Sequence, residues 1–364
     1  MDKEKKRNKR MNSPVVGIDI GEEKSFATYL APDGDVRDSF DFPMDMKGYA
    51  DFAFRIPPDT RIVFEASGSA YSFSRTMKDL GYCDLTVAHP KEIAWITKSK
   101  RKNDEVDSLK LARLHLVNMI PESHLLDEDD RIFRDLLIQR VELSQSVAST
   151  KNGIIGYLKR EGLYGGLPES SESFSEKRRG AMKKIRFGNQ KDLVLKTLMD
   201  RLDFQERQII PLETEIKRMA RESGDVRLLM SIPGIDYYLA SLLSSYIGDI
   251  RRFDNPDKLA AYFGVIPATR DSSSIKRRGH MSKESPSTAR WALSVAVDTV
   301  SLRNKPIKEY YQSVKNRKGS GKFAHVSTMR KLVRMIYTML SERKEWKYAN
   351  PAVTENKLSR LDEE

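Results

Sequence analysis

The stretch VVGIDIG, residues 15–21, decides how the first third of the chain folds. Its run of Val and Ile is typical of a buried strand. The segment SFATYL, residues 25–30, alternates apolar and polar residues like a hairpin partner, and a turn sequence, APDG, follows it. Two further strand patterns occur, RIVFEASG at 61–68 and DLTVA at 84–88, with a helical pattern between them. Strands mixed with helices over about 110 residues predict an α/β domain.

Two carboxylates interrupt the apolar strand patterns. Asp19 lies within the first strand pattern, and Glu65 lies at a similar place in the pattern that begins at residue 61. An unpaired carboxylate is costly to bury, whereas two carboxylates on neighbouring strands are natural ligands for Mg²⁺. The simpler alternative is a strand-end aspartate turned to solvent.

A third acidic motif is KNDEVDSL, residues 102–109. Asp104 and Asp107 are three residues apart and share one face if this segment begins a helix. Acids in a first helical turn also serve as caps and complement the helix dipole, so this alternative stays open. Two strand acids followed by helix acids form the layout of RNase H-like nucleic-acid enzymes, in which carboxylates hold two Mg²⁺ ions around a scissile phosphate.

The remainder of the chain has a helical pattern. Residues 127–159 and 192–222 predict two long helices around a loop rich in Gly and Ser at 162–180, as in an antiparallel hairpin. A mostly helical region begins at residue 228. Within it, SIPGI at 231–235 fits either a helix-hairpin-helix turn that contacts phosphate or an ordinary connector between core helices.

Composition excludes several classes of protein. The 364 residues contain one cysteine, Cys83, which excludes an internal disulfide framework, and five histidines without metal-ligand spacing, which argues against a zinc hydrolase. No apolar run reaches the roughly 18 to 20 residues of a membrane span. The N-terminus lacks the apolar segment of a secretory signal, so we expect a cytoplasmic protein without a membrane partner.

Positive charge is clustered along the chain. The net charge is +12, and dense basic runs attract phosphate backbones through counterion release. One such run alone would be an ordinary solvated loop, but several in one chain favour a nucleic-acid partner. The residues expected to contact nucleic acid are Lys98, Lys100, Arg101, Lys102, Lys276, Arg277, Arg278, Lys283, Lys315, Arg317 and Lys318.

A serine cluster precedes one of the basic runs, in the sequence DSSSIKRRG at 271–279. The ordinary interpretation is a flexible basic loop, and no Ser, His and Asp spacing of a hydrolase is evident. Hydroxyls beside cations could instead attack a phosphodiester, with the cations stabilising the developing charge.

The sequence GIDIG at 17–21 also resembles the first phosphate loop of actin-like and sugar kinases. The later Asp-x-Gly hairpin of those folds is missing, which argues against an ATPase.

In their order and spacing, these motifs resemble those of the DEDD transposases of the insertion-sequence "one-ten" group. The resemblance covers about residues 13–345. Relatives of this family include the pilin-gene inversion recombinase. The acidic motifs GID, FEASG and KNDEVDS resemble those of its RuvC-like domain. IPGI, IGDI, LAAYFG and RGHMSK, all after residue 231, resemble its C-terminal transposase domain.

The resemblance implies an architecture and a site. The expected fold is an α/β RNase H-like (RuvC-like) N-terminal domain, a helical coiled-coil linker and a mainly α C-terminal transposase domain. The expected boundaries are a disordered basic leader at 1–12, the DEDD domain at 13–126, the linker at 127–225, the transposase domain at 226–345 and a polar tail at 346–364. The implied site residues are Asp19, Glu65, Asp104 and Asp107 as ligands of Mg²⁺ or Mn²⁺, and Ser272 as the nucleophile.

The serine motif departs from the family pattern. The family has Ser-Gly where this chain has three serines, so Ser273 is the second choice for the nucleophile. The resemblance further implies DNA cleavage and rejoining through a covalent phosphoserine in a prokaryotic cytoplasm. The implied partners are double-stranded DNA (element ends and target), a structured guide RNA, and further copies of the chain as a dimer or tetramer. The alternatives are a RuvC-like endonuclease acting on DNA junctions and an inactive nucleic-acid-binding remnant.

Overall fold

The computed structural model describes most of the chain. The described residues are 13–90, 92–93, 103–272, 275–281 and 285–363, with backbone alone described in 267–272 and 275–281. The expected leader at 1–12 lies outside them. The chain divides into two compact units, Met1–Leu126 and Asp127–Glu364.

The first unit is built on a five-stranded sheet in the order β3-β2-β1-β4-β5. β2 is antiparallel to both β1 and β3, whereas β1, β4 and β5 run parallel. The strands are β1 (Val15–Asp19), β2 (Lys24–Leu30), β3 (Val36–Pro43), β4 (Arg61–Glu65) and β5 (Leu85–Ala88), and the helices are α1 (Met46–Arg55), α2 (Ala70–Asp79) and α3 (Asp104–Leu116). This mixed α/β arrangement is consistent with the expected RNase H-like domain.

Both faces of this sheet are covered, because alternate residues of each strand point to opposite sides. On one face, α1 and α2 contribute Phe52 and Phe73 to an aromatic core that includes Phe64 of β4. On the other face, α3 buries Leu111 and Ala112 against the sheet. A strand covered on both sides has the continuous apolar sequence seen in VVGIDIG.

The second unit begins with two long helices, α4 (Glu128–Arg160) and α6 (Lys191–Glu222), which run antiparallel. Tyr157 near the end of α4 donates to the carbonyl of Lys191 at the start of α6 at 3.0 Å, and Thr150 donates to Gln205 at 2.9 Å. A short helix, α5 (Glu176–Lys184), begins within the last residues of the loop expected at 162–180, and its Met182 is buried against the hairpin.

The remaining residues of the second unit that the structure describes form a mainly helical core and one antiparallel pair of strands, consistent with the expected mainly α C-terminal region. Phe133 and Leu137 of α4 belong to the same core. The helices are α7 (Gly224–Leu229), α8 (Tyr237–Ile247), α9 (Pro256–Tyr262), α10 (Ser287–Arg303), α11 (Lys305–Lys318), α12 (Gly321–Glu342) and α13 (Pro351–Asp362), and the hairpin strands are β6 (Pro267–Ser272) and β7 (Ile275–Met281).

The C-terminal residues, for which a polar tail is expected, form helix α13. Asn350 caps it by accepting from the Val353 N–H at 3.4 Å. Trp346 and Leu361 are almost fully buried in the core of the second unit. Within α13 only Leu358 and Leu361 pack against this core, and the residues around them are mostly polar, so the apolar pattern of the helix is weak.

The SIPGI turn at 231–235 connects α7 to α8. Gly234 has a φ of +97°, and a Cβ atom there would lie 2.6 Å from the carbonyl oxygen of Thr299. The first turn of α8 is capped by Asp236, whose carboxylate accepts from the Leu239 N–H at 2.8 Å. Glycine is therefore needed here for its conformation and for close approach to α10, which favours the connector interpretation over a phosphate-binding turn.

Candidate active site

The parallel register of β1 and β4 brings the two strand acids together. Ile18 is paired with Phe64, so one further step along both strands places Asp19 beside Glu65. Neighbouring strands are about 4.8 Å apart, and paired residues of parallel strands point to the same face. Both acids are partly buried. The spacing of 46 residues between them equals the register offset of the two strands.

Both acids point to the face of the sheet that α3 covers. Gly17 faces α3, and Asp19, two residues later, points the same way. Val63 belongs to the apolar cluster that contains Leu111 of α3, so Glu65, again two residues later, shares that face. The two acids therefore lie at the strand ends, on the face of the sheet that is covered by α3, the helix that carries the third acidic motif.

Close docking of α3 on β1 depends on a glycine. A Cβ atom at Gly17 would lie 2.2 Å from the carbonyl oxygen of Ser108 and 2.5 Å from the amide nitrogen of Ala112. The two buried hydroxyls of Ser108 and Thr28 are 2.6 Å apart and join α3 to β2. Any side chain larger than hydrogen at residue 17 would separate the helix from the strand.

Helix α3 runs antiparallel to β1 and β4. Its C-terminal end lies over the beginning of the strands, where Arg61 donates to the carbonyl oxygen of His115 at 3.1 Å. Ser108, nearer its N-terminal end, lies over Gly17 in the middle of β1. The first turn of α3 is therefore directed toward the strand ends that carry the two acids.

That first turn carries both predicted helix acids. Asp104 is its first residue and is exposed, whereas Asp107 is half-buried and accepts from Lys110 Nζ at 2.8 Å. The N-cap is Asn103, whose side chain accepts from the Glu105 N–H at 3.4 Å. The capping alternative is therefore weakened, although both acids still complement the helix dipole.

The donor chemistry of this edge suits Mg²⁺, which proteins bind through one or two carboxylates together with water and substrate phosphates. In the part of the chain that the structure describes, no three His, Cys, Asp or Glu side chains lie close enough together to hold a metal ion. The fold thus brings Asp19 and Glu65 together and directs the first turn of α3, which carries the helix acids, toward them, without a complete ligand cage.

The predicted nucleophile lies in the second unit. Ser272 is the last residue of β6 and is paired with Ile275 of β7. The described residues on both sides of the serine cluster thus form two paired antiparallel strands, where the serine cluster and its basic residues indicate a loop. The second choice, Ser273, lies outside the described residues.

The predicted basic residues fall into three groups. Three of them, at 315, 317 and 318, form the exposed last turn of α11, where cations also complement the helix dipole. Three more, at 276–278, belong to the backbone of β7. The remaining ones lie outside the described residues and are Lys98, Lys100, Arg101, Lys102 and Lys283.

Sequence reasoning missed the residues that position the acids. Thr28 and Ser108 join α3 to the sheet, and Lys110 pairs with Asp107. One signal was available for this docking, because a glycine inside an apolar strand such as Gly17 often marks a close backbone approach. No corresponding pattern marks the two hydroxyls.

None of the helices that the structure describes is long and apolar enough to cross a membrane.

Comparison with known proteins covers both units. A family model for DEDD transposases of IS110 type, described as "Transposase", matches residues 16–161, and a second, described as "Transposase IS116/IS110/IS902 family", matches residues 226–312. The first match contains the three acidic motifs, and the second contains the serine cluster and most of α11.

Individual relatives agree with these matches. The chain is 23% identical over 228 residues to "Transposase for insertion sequence element IS1111A" of Coxiella burnetii, a match that covers 60% of this chain and 62% of the relative. It is 23% identical over 240 residues to "Probable family 20 transposase" of Pseudomonas aeruginosa, covering 64% of this chain and 68% of the relative. The match with the Coxiella protein thus spans less than two thirds of that protein. The chain belongs to the DEDD transposase family of insertion sequences that includes IS110, IS116 and IS902.

Proposed function

We propose that this chain is a DNA transposase that moves its insertion sequence by cleaving and rejoining DNA through a covalent phosphoserine. The observation that supports this most strongly is the register that places Asp19 beside Glu65 on the face of the sheet that α3 covers. Membership of a transposase family supplies the class of substrate. The proposed site of action is the cytoplasm of a prokaryote.

Four acids would hold the metal, either Mg²⁺ or Mn²⁺: Asp19 and Glu65 from the strands, and Asp104 and Asp107 from α3. The bound ion would supply Lewis-acid polarisation of the scissile phosphate and stabilisation of its developing charge. The half-buried strand pair would orient that phosphate through the ion it holds, while the exposed Asp104 would be open to the DNA. The ion pair with Lys110 fixes the position of the Asp107 carboxylate.

The serine step is a phosphoryl transfer. The Oγ atom of Ser272 forms a bond to phosphorus, the bond from phosphorus to the 3′ oxygen breaks, the serine proton passes to solvent and the leaving 3′ oxygen takes up a proton. A 3′ hydroxyl of another strand then attacks the same phosphorus, joins the strands and restores the serine hydroxyl. This exchange conserves the energy of the phosphodiester and needs no nucleotide cofactor.

The proposed partners follow from this chemistry and from the family. Double-stranded DNA of the element ends and the target is the substrate, and a structured RNA from the element's flank is the proposed guide. A dimer or tetramer would hold the DNA ends together. The exposed basic turn of α11, at residues 315–318, offers one phosphate-binding surface.

A covalent adduct tests the proposal directly. The purified full chain is incubated with Mg²⁺, end DNA labelled on the strand that would carry the phosphoserine, and RNA transcribed from the flank, and denaturing gels then reveal protein-linked DNA. We expect an adduct that requires Mg²⁺ and disappears in Ser272→Ala. Ser273→Ala is the matched control for the choice of serine and is expected to retain the adduct.

Each other outcome has a defined meaning. Loss of the adduct in Ser273→Ala alone would move the nucleophile by one residue. Nicked strands without an adduct would contradict the serine mechanism and favour an endonuclease that uses metal-activated water. DNA binding without any Mg²⁺-dependent cleavage would indicate an inactive nucleic-acid-binding protein.

A further inference from the structure

Three backbone carbonyls around the SIPGI turn surround one ammonium group. Lys357 Nζ donates to the carbonyl oxygens of Ile235 at 2.8 Å and Ile232 at 3.0 Å, and also to that of Met230. Lys357 is partly buried, and burial lowers its pKa to about 8. The turn therefore provides a cage of neutral oxygens that converges on a single positive charge.

The ammonium group held here is itself a monovalent cation, and its contacts with Ile232 and Ile235 have the usual length of an N–H···O hydrogen bond. Oxygen ligands lie at about 2.0 to 2.1 Å from Mg²⁺ and 2.3 to 2.6 Å from Ca²⁺. The 2.8 and 3.0 Å separations at Ile235 and Ile232 are longer than either. Rings of uncharged backbone carbonyls are the ligands that replace the hydration shell of K⁺ in selective channels. The carboxylate of Asp236 adds negative charge nearby, and the guanidinium of Arg303 opposes it.

Lys357 reaches the cage because helix α13 is held in place at its C-terminal end. Arg227 makes two hydrogen bonds to the Asp362 carboxylate, at 2.7 and 3.1 Å. Arg221 donates to the carbonyl oxygens of Leu361 and Glu363. Basic side chains at the C-terminal end of a helix complement its dipole. The Lys357 ammonium is thus held in position by α13, whose last turn is fixed by these polar contacts.

We propose that the carbonyl oxygens of Met230, Ile232 and Ile235 form a binding site for a large monovalent cation, K⁺ in a cell, which Lys357 occupies when α13 is docked. K⁺ and the Lys357 ammonium are therefore alternative occupants of one site. This inference concerns the turn alone and is independent of the DNA chemistry proposed above.

The test replaces the ammonium and leaves the carbonyls in place. In Lys357→Met the apolar stem is retained and the charge is lost, so K⁺ can enter. We expect the Tm of this variant to be about 2 to 4 °C higher in KCl than in tetramethylammonium chloride at equal ionic strength, as for a ligand present at roughly ten times its Kd. Wild type is expected to have the same Tm in both salts.

A matched control is Lys347→Met, which removes an exposed lysine outside the cage and is expected to show no preference between the salts. A second readout is structural: crystals of Lys357→Met soaked in RbCl should show an anomalous peak among the three carbonyls, and wild-type crystals should not. An equal response of Lys357→Met to both salts, or the absence of the rubidium peak, would overturn the proposal.

A folding failure of Lys357→Met also gives an answer. Folding in KCl but not in tetramethylammonium chloride would support the site. If the variant fails to fold in both salts, Lys357→Gln is used, since its shorter side chain retains a hydrogen-bond donor while leaving room beside the carbonyls. A smaller K⁺-specific rise in Tm would then support the proposal, and no rise would contradict it.

Discussion

The carboxylates of Asp19 and Glu65 and the serine at residue 272 all lie at the ends of strands, but the two kinds of strand are supported differently. β1 is hydrogen-bonded to β2 and β4 and is covered by helices on both faces of a five-stranded sheet. β6, which ends at Ser272, pairs with β7 alone in the two-stranded sheet that the structure describes. Asp19 is thus positioned by a packed core, whereas the backbone of Ser272 is positioned by the pairing of β6 with β7.

This difference shows where precision comes from in the acidic half and in the serine half of the proposed chemistry. Two-stranded hairpins have little stability of their own, whereas a central strand covered on both faces cannot shift its register without moving every side chain to the wrong face. We therefore expect substitutions in the sheet to affect both stability and cleavage. Substitutions in the hairpin should affect cleavage alone.

The largest expected effect comes from removing the chemistry of either half. Asp19→Asn should lower Mg²⁺-dependent strand cleavage by about 10³-fold or more, because a metal ligand and its charge are lost. Ser272→Ala should lower adduct formation by a similar factor. Asp59→Asn, which changes an exposed acid in the same unit as Asp19, is the control and should cleave normally. A folded Asp19→Asn protein that retains cleavage would contradict the proposed metal site.

Gly17→Ala should reveal how far the sheet half depends on packing. Its Cβ atom would overlap the backbone of α3, 2.2 Å from the Ser108 oxygen, so the helix must shift. We expect a loss of about 1 to 3 kcal/mol in the free energy of unfolding and reduced cleavage by the folded fraction. Chemical denaturation and the cleavage assay measure the two effects.

Gly153→Ala is the matched control for this substitution. Gly153 lies inside α4 with no atom within 4 Å of the added Cβ. Alanine there should stabilise the protein by about 0.5 to 1 kcal/mol, because glycine is unfavourable inside helices. Equal effects of the two substitutions would show that close docking of α3 is unimportant.

Neutralising the basic turn of α11 tests phosphate binding in the second unit. Changing Lys315, Arg317 and Lys318 to Gln should lower DNA affinity and reduce the slope of log K against log salt by about 2 to 3, since each phosphate that a cation neutralises adds about 0.9 to that slope. The control changes Lys305 and Lys308, at the other end of the same helix. An unchanged slope in the triple variant would exclude this surface from the interface.

The smallest expected effect concerns the hydroxyl pair that joins α3 to β2. Thr28→Val removes one partner of the 2.6 Å contact with Ser108. Ser108 keeps its hydrogen bond to the Glu105 carbonyl at 2.9 Å, so the cost should be only about 0.5 to 1.5 kcal/mol. Thr214→Val, on an exposed helix face, should change stability by less than about 0.5 kcal/mol. A cost as large as that of Gly17→Ala would mean that polar contacts, rather than close packing, hold α3.

Several elements could be predicted from local pattern, and others could not. The strands around Asp19 and Glu65 were predictable because apolar β-branched runs have few alternatives. Strand β3 (Val36–Pro43) was not predicted, because an edge strand exposed along much of its length has a weak apolar pattern. Helix α1 (Met46–Arg55) was not predicted either, since it is short and buries few of its residues. The β6–β7 hairpin was also missed, since its residues are mostly polar or charged.

The sequence by itself determined the class of the first domain and the clustering of basic residues along the chain. It also identified the candidate ligands, which are Asp19, Glu65, Asp104 and Asp107. Local pattern carries this information because strand and helix periods act over a few neighbouring residues. Only the tertiary structure decided that residue 19 lies beside residue 65, that α3 runs antiparallel above them, and that Lys357 fills the turn around Gly234. Register, docking and buried charge depend on contacts between residues far apart in the chain, which no local pattern records.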